Sequence, residues 1–266
     1  MHIKWDIQGL FIYLAMIGYL SAFVGVLVNR KVAAGRLCFG FAFAAALTAY
    51  IVRWVISTHL PMQNLFEVFL LMMVMVGPIS WLTRNMQQDD SWVMAAGDAI
   101  IGILVCFPAG FVFSAAPRPL PPPLQSVLFG PHVASYMTAY LLMARACIPA
   151  VAALAGRYND QRLIDAERHS YGMAAAGFPL LSLGLILGSV WGKLAWGDWW
   201  AWDPKELWSL ACWLMYMFYF HWRIVHPKEY IRTRLWLVLV GMAFIVITLL
   251  WVNLSNLFAG RHSYAT

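Results

Sequence analysis

Charge is scarce in this 266-residue chain: Asp, Glu, Lys and Arg together make up 11% of it, against 62% hydrophobic residues. Water-soluble domains carry about a quarter charged residues and about half apolar ones, so an ordinary soluble fold is excluded. Cysteine is also scarce. The four present (Cys38, Cys106, Cys147 and Cys212) all lie in apolar stretches, with no CxxC pair and no metal-ligand spacing. That excludes a disulfide framework or a dithiol redox centre and leaves packing roles. Acidic residues number 12 against 18 basic ones, a formal charge of +6, but the basic residues are spread between apolar runs. They read as topology signals and not as a nucleic-acid surface. Long polar segments are missing too. If about eight spans take ~20 residues each, only ~100 remain for nine loops and tails, or ~11 apiece. No second soluble domain fits, and any chemistry must sit on short loops or on the helices themselves.

What the chain does have is apolar runs. Eight are expected to be helical, roughly 8–29, 37–57, 62–82, 92–115, 132–155, 171–192, 207–225 and 235–258. The expected fold is all-α, a polytopic integral membrane helix bundle forming one domain over residues 1–266. The first run is too long for a signal-peptide core and reads as a retained span. In the fourth, Pro108 and Gly110 predict a kink whose freed backbone groups neighbouring helices must satisfy. Assigning loop Lys and Arg to alternate sides puts eleven on one side, from Arg30 to Arg234, and five on the other: Lys4, Arg118, Lys193, Lys205 and Arg261. The positive-inside rule then places both termini outside the cytoplasm.

Three features gather on that outer face: a strap with six prolines between Pro117 and Pro131, a tryptophan-rich stretch from Trp191 to Glu206, and the tail after Phe258. The prolines favour an extended, semi-rigid strap. From Trp191 to Trp208, six of eighteen positions are Trp, a density that an interfacial aromatic belt does not explain. Asp203 is placed to cap a helix starting at Pro204, with Glu206 in position to complete a capping box. A rigid aromatic loop with a few fixed polar groups suits a large planar ligand.

Seven histidines are present. His2, His169 and His226 fall in the amino tail or inner loops and need no special role. His132 opens span five and His262 follows span eight, both beside the tryptophan loop. Two imidazoles there are suited to axial ligation of a haem iron. His221 lies about 14 residues into span seven, ~21 Å from its outer end, and an ionisable group at that depth is a functional candidate. His59 lies near the outer end of span two, its role open. Glu67, Asp98 and Arg145 also fall inside predicted spans, where they need partners; as pathway groups they would fit an ion or solute transporter.

The stretch Trp196-Gly-Asp-Trp199-Trp200-Ala-Trp202-Asp203-Pro-Lys-Glu206 resembles the tryptophan-rich "WWD" motif of the haem-handling proteins of cytochrome c maturation, and its Pro-Lys-Glu continuation resembles the CcsA/ResC branch of system II. Further agreement comes from Leu124-Gln-Ser126 leading to His132 and Val252-Asn-Leu254 leading to His262. His59-Leu-Pro61 with Asn64-Leu-Phe-Glu67 and Tyr219-Phe-His221-Trp-Arg223 agree as well. The resemblance runs from span two to the tail. It implies that His132 and His262 are the outer haem ligands, that His221 handles haem in transit, and that Trp196, Trp199, Trp200, Trp202 and Asp203 belong to the haem-binding loop, with His59 a further candidate. It implies haem b as the bound group, and presentation of that haem on the outer face for covalent attachment to apocytochrome c CxxCH segments, as part of a cytochrome c synthase. The partners it implies are a CcsB/ResB-type membrane protein, apocytochrome c and a separate thiol reductant. The membrane would be a bacterial inner or thylakoid-type one. A haem-binding regulatory membrane protein that attaches nothing is the alternative within the same chemistry.

Overall fold

In a computed structural model the chain is described over residues 3–87, 91–156, 159–227 and 229–252. The elements are α1 (Ile7–Asn29), α2 (Ala33–Ser57), α3 (Leu65–Gln87), α4 (Trp92–Phe107), α5 (Phe129–Ala155), α6 (Asp160–Trp196), α7 (Pro204–Val225) and α8 (Ile231–Val246). Among the described residues there is no strand. Each expected apolar run corresponds to one helix. Seven helical segments are long and apolar enough to cross a membrane; the seventh helix in order, α7, is long enough but not apolar enough to join them. The protein is therefore an integral membrane protein of the polytopic helical class.

The helices fall into two units, Met1–Leu124 and Gln125–Thr266. In the first, α1 packs on α2 and α4, and α3 packs on α2 and α4. The expected kink in the fourth span takes a definite form. Pro108–Val112 continues α4 as a wide π-helical turn, closed by the Phe113 amide donating to Pro108 O at 3.0 Å. Pro108 has no N–H to give, and the carbonyl of Gly110 is satisfied from outside the helix, by Lys4 Nζ at 3.2 Å and by the Tyr13 hydroxyl at 3.0 Å.

The first unit also settles two of the intramembrane charges. Glu67 is fully buried and pairs with Arg53, whose Nε donates to it at 2.8 Å. Its second oxygen accepts the Gln63 amide at 2.8 Å, while Arg53 Nη1 donates to Ala115 O at 2.6 Å and Gln63 Nε2 to Pro119 O at 2.9 Å. This buried pair thus ties the end of α2 and the 58–64 turn to the proline strap. Asp98, 1% exposed, accepts from Ser80 and lies 3.8 Å from Arg84. Each carboxylate has an arginine, which is what burial of an ionised group requires.

In the second unit α5 and α6 pack along most of their length, and α8 packs on α5, α6 and α7. At 37 residues α6 runs for about 55 Å. It begins eleven residues earlier than the apolar run and ends four later, because its first turns are polar and hydropathy does not register them. Near their other ends α6, α7 and α8 are held by Glu167, which accepts from Arg223 Nε at 2.7 Å and lies 3.4 Å from Arg234 Nη1. Arg145 is buried in α5, with Nη1 3.9 Å from the Met173 sulfur.

Candidate functional site

The tryptophan stretch is less of a loop than its sequence implies. Trp191 and Trp196 belong to the last turns of α6, which ends at Gly197 in the left-handed conformation (φ 87°). Trp208 belongs to α7, where its ring meets Phe244 at 5.6 Å. Only Trp199, Trp200 and Trp202 lie in the short connection itself.

That connection is held by side chains at both ends. Lys193 Nζ donates to Gly197 O at 2.6 Å and Ser189 Oγ to Trp199 O at 2.8 Å. On the α7 side the expected capping box is present: Asp203 accepts the Lys205 amide at 2.8 Å, and Glu206 accepts the amides of Asp203 at 3.2 Å and Ala201 at 2.7 Å. The chain turns into the cap through Trp202, which takes a left-handed backbone (φ 57°). That conformation is unusual for a bulky residue, and Trp202 is here 65% exposed. Trp199 is similarly exposed at 57%. Trp200 is half-buried, meets Trp202 edge-to-face at 6.1 Å, and buries its Nε1–H without an acceptor.

His132, in the first turn of α5, lies in the same unit and packs on α6. Its Nδ1 is 2.8 Å from the carbonyl of Gly184. A carbonyl only accepts, so Nδ1 carries the proton and the lone pair is on Nε2, the arrangement that a metal-binding imidazole uses. The ring stacks on Trp191 (5.8 Å, 27°) and meets Tyr136 edge-on at 5.1 Å. Trp191 is itself buried, against Phe129 at 5.5 Å and Trp196 at 4.7 Å. The close approach needs glycine: a Cβ at Gly188 would stand 2.6 Å from His132 Cε1, and one at Gly184 2.9 Å from the Tyr136 ring. Gly184 and Gly188 form a small-xxx-small face of the kind that brings membrane helices together.

The other expected ligands are placed separately. His262 lies outside the described residues. His221 is on the exposed surface of α7. In the first unit, the carbonyl of Leu60 lies 3.1 Å from His59 Nδ1, which fixes the proton there; His59 Nε2 is buried with no hydrogen-bond partner. Trp191 has a larger part than the sequence reading assigned, as the backing of His132, together with Gly184 and Gly188. A Gly-x-x-x-Gly spacing upstream of the tryptophans was the available signal.

Burial pushes the Lys205 ammonium down to about 8, with nearby Asp203 opposing the shift in part. Lys205 stands at the loop end of α7, outside the expected span.

The architecture and this connection define a polytopic helical membrane protein with an aromatic, internally braced loop beside a preset imidazole. Residues 62–259 match the cytochrome C assembly protein family, and the chain belongs to that family. It is 30% identical over 259 residues to the cytochrome c biogenesis protein CcsA of Prochlorococcus marinus (strain MIT 9303), covering 82% of this chain and 80% of that one. It is 26% identical over 261 residues to the CcsA of Chlamydomonas reinhardtii, covering 90% and 70%. With the CcsA of Nostoc punctiforme it shares 38% over 130 residues, covering 48% and 36%. The chain is of the CcsA type and its role is in cytochrome c biogenesis.

Proposed function

We propose that the protein holds haem b at the tryptophan connection and presents it for covalent attachment to apocytochrome c, with His132 and His262 as axial ligands. The observation that carries this reading is the His132 imidazole, its proton committed to Gly184 O and its ring stacked on buried Trp191. Imidazole ligation of haem iron takes that tautomer. The exposed Trp199 and Trp202 offer apolar faces for a macrocycle, and Trp196 packs on Trp191, the ring that backs His132. Asp203 acts by shaping the connection. The whole chain works as one haem-handling domain.

The connection and both termini face the outer, periplasmic or lumenal side, following the distribution of Lys and Arg. Haem reaches that side through the membrane. The exposed His221 on α7 and the unpartnered Nε2 of His59 are the imidazoles suited to bind it on the way. Attachment joins the two thiols of a CxxCH segment to the two vinyl groups, each S–H adding across a C=C bond with no net oxidation. This chain contributes positioning and exclusion of water. It has no CxxC of its own, so a separate thiol reductant keeps the apocytochrome cysteines reduced. Its partner is a CcsB/ResB-type membrane protein.

The test is an absorption spectrum of protein purified from haem-replete cells. Low-spin bis-imidazole bands, lost or shifted in both His132→Ala and His262→Ala, are expected; a haem-free wild-type preparation refutes the reading. Loss of covalent haem staining in cells lacking the gene separates attachment from mere haem binding or transport.

A further inference from the structure

The first unit carries a groove that haem handling does not use. Its volume is about 920 Å³, and it lies between the start of α2 and the end of α3, which pack on each other. Arg36, Phe39 and Phe43 line it from α2, and Arg84, Trp81 and Gly77 from α3. Both sets follow the spacing of three to four residues that keeps side chains on one helix face. Their depth follows from the buried Arg53–Glu67 pair, which joins the far ends of the same two helices at 2.7 Å. Arg36 precedes Arg53 by seventeen residues and Arg84 follows Glu67 by seventeen, so both arginines stand about 25 Å from that pair. That is close to the thickness of the hydrocarbon layer, and it puts the two cations at one level, at the opposite membrane boundary.

The groove is therefore cationic at its rim and aromatic below. Phe43 and Gly77 lie seven residues deeper than the arginines, about 10 Å toward the bilayer centre. There ring and backbone meet, since a Cβ at Gly77 would stand 2.6 Å from the Phe43 ring. Trp81 is 68% exposed, on a surface that lipid covers in the membrane. This polarity complements an amphiphile with an anionic head and hydrocarbon chains, and guanidinium groups suit phosphate oxygens. We infer that the groove is a binding site for one anionic phospholipid, its phosphate on Arg36 and Arg84 and its chains against Phe39, Phe43 and Trp81. Asp98 lies 3.8 Å from Arg84 and offsets part of its charge, so Arg36 supplies most of the selectivity.

The experiment places the full-length protein in phosphatidylcholine vesicles that contain a small, fixed fraction of brominated phosphatidylglycerol or of brominated phosphatidylcholine. Bromine quenches nearby indoles, and subtracting the signal of Trp81→Phe isolates the emission of Trp81. Quenching of Trp81 is expected to show a preference of about fivefold for phosphatidylglycerol, the factor that one basic residue supplies at a membrane surface. Arg36→Gln should lower that preference to about twofold or less, and Arg36→Lys should keep most of it. Arg162→Gln removes the same charge from the start of α6 and should leave the preference unchanged; an equal loss there makes the attraction diffuse and overturns the site. Inorganic phosphate at constant ionic strength should not remove the preference, and if it does, the groove takes a free anion and the lipid assignment fails. Native mass spectrometry of wild type offered both lipids in equal amounts gives the same comparison without any variant. Equal retention of the two lipids overturns the inference.

Discussion

Gly188→Ala is the smallest change that interrogates the His132 site. The added methyl would stand 2.6 Å from His132 Cε1, where carbon atoms normally approach to about 3.5–4.0 Å, so the ring must move by roughly 1 Å. The Nδ1–H···O bond to Gly184 is 2.8 Å and leaves the useful range beyond about 3.5 Å. A shift of that size weakens or breaks it. Forced overpacking costs about 1–3 kcal/mol and loss of the hydrogen bond about 0.5–1.5 kcal/mol, so destabilisation of about 2–4 kcal/mol is expected. The functional effect is more diagnostic. Losing the group that orients a metal-binding imidazole typically costs 10–100-fold in affinity, so haem should bind that much more weakly, with a growing high-spin fraction. The assay is a haem titration read by absorption, beside a thermal melt in the same detergent. Gly40→Ala is the control, since a Cβ there meets nothing within 4 Å. If Gly188→Ala keeps the wild-type spectrum, affinity and melting point, then His132 does not sit against α6 as described and the reasoning fails.

Arg53→Met strands the fully buried Glu67 carboxylate and should destabilise by about 3–5 kcal/mol, whereas Arg53→Met with Glu67→Leu should recover most of that loss in the same melt. A double variant no more stable than the single one refutes the pairing. Asp203→Ala removes the α7 cap and should cost about 1 kcal/mol, with Asp203→Asn nearly neutral. The Lys205 ammonium loses its proton near 8 in the folded chain and near 10.5 in the unfolded one, so the unfolded state binds more protons between those values. Stability of the haem-free protein should therefore rise with pH from about 8 to about 10.5, and this rise should be smaller in Lys205→Met. Identical slopes in the two proteins contradict the burial of Lys205.

The capping box was legible in the sequence because its partners are three residues apart and its geometry is that of any helix start. So was an irregularity at Pro108, because a missing N–H is a local fact, although its form as a π-helical turn was not. The pairing of Glu67 was not legible. Its partner Arg53 lies on another helix, and Arg145 was as open a choice until α2 and α3 were packed. The tryptophans read in the sequence as one loop, whereas Trp191 and Trp196 belong to α6 and Trp208 to α7. Whether α6 runs on to Trp196 depends on packing against Phe129 and His132, which lie on α5.

Composition alone made this a membrane helix bundle, since a chain so poor in charge cannot solvate its own surface. Residue order alone marked the aromatic connection and singled out His132. Tertiary structure decided which nitrogen of His132 carries the proton, that Trp191 backs the ring while Trp199 and Trp202 are exposed, and that the indole N–H of Trp200 is buried without an acceptor. Those outcomes depend on one helix backbone coming within hydrogen-bonding distance of another, and a linear sequence does not record that distance.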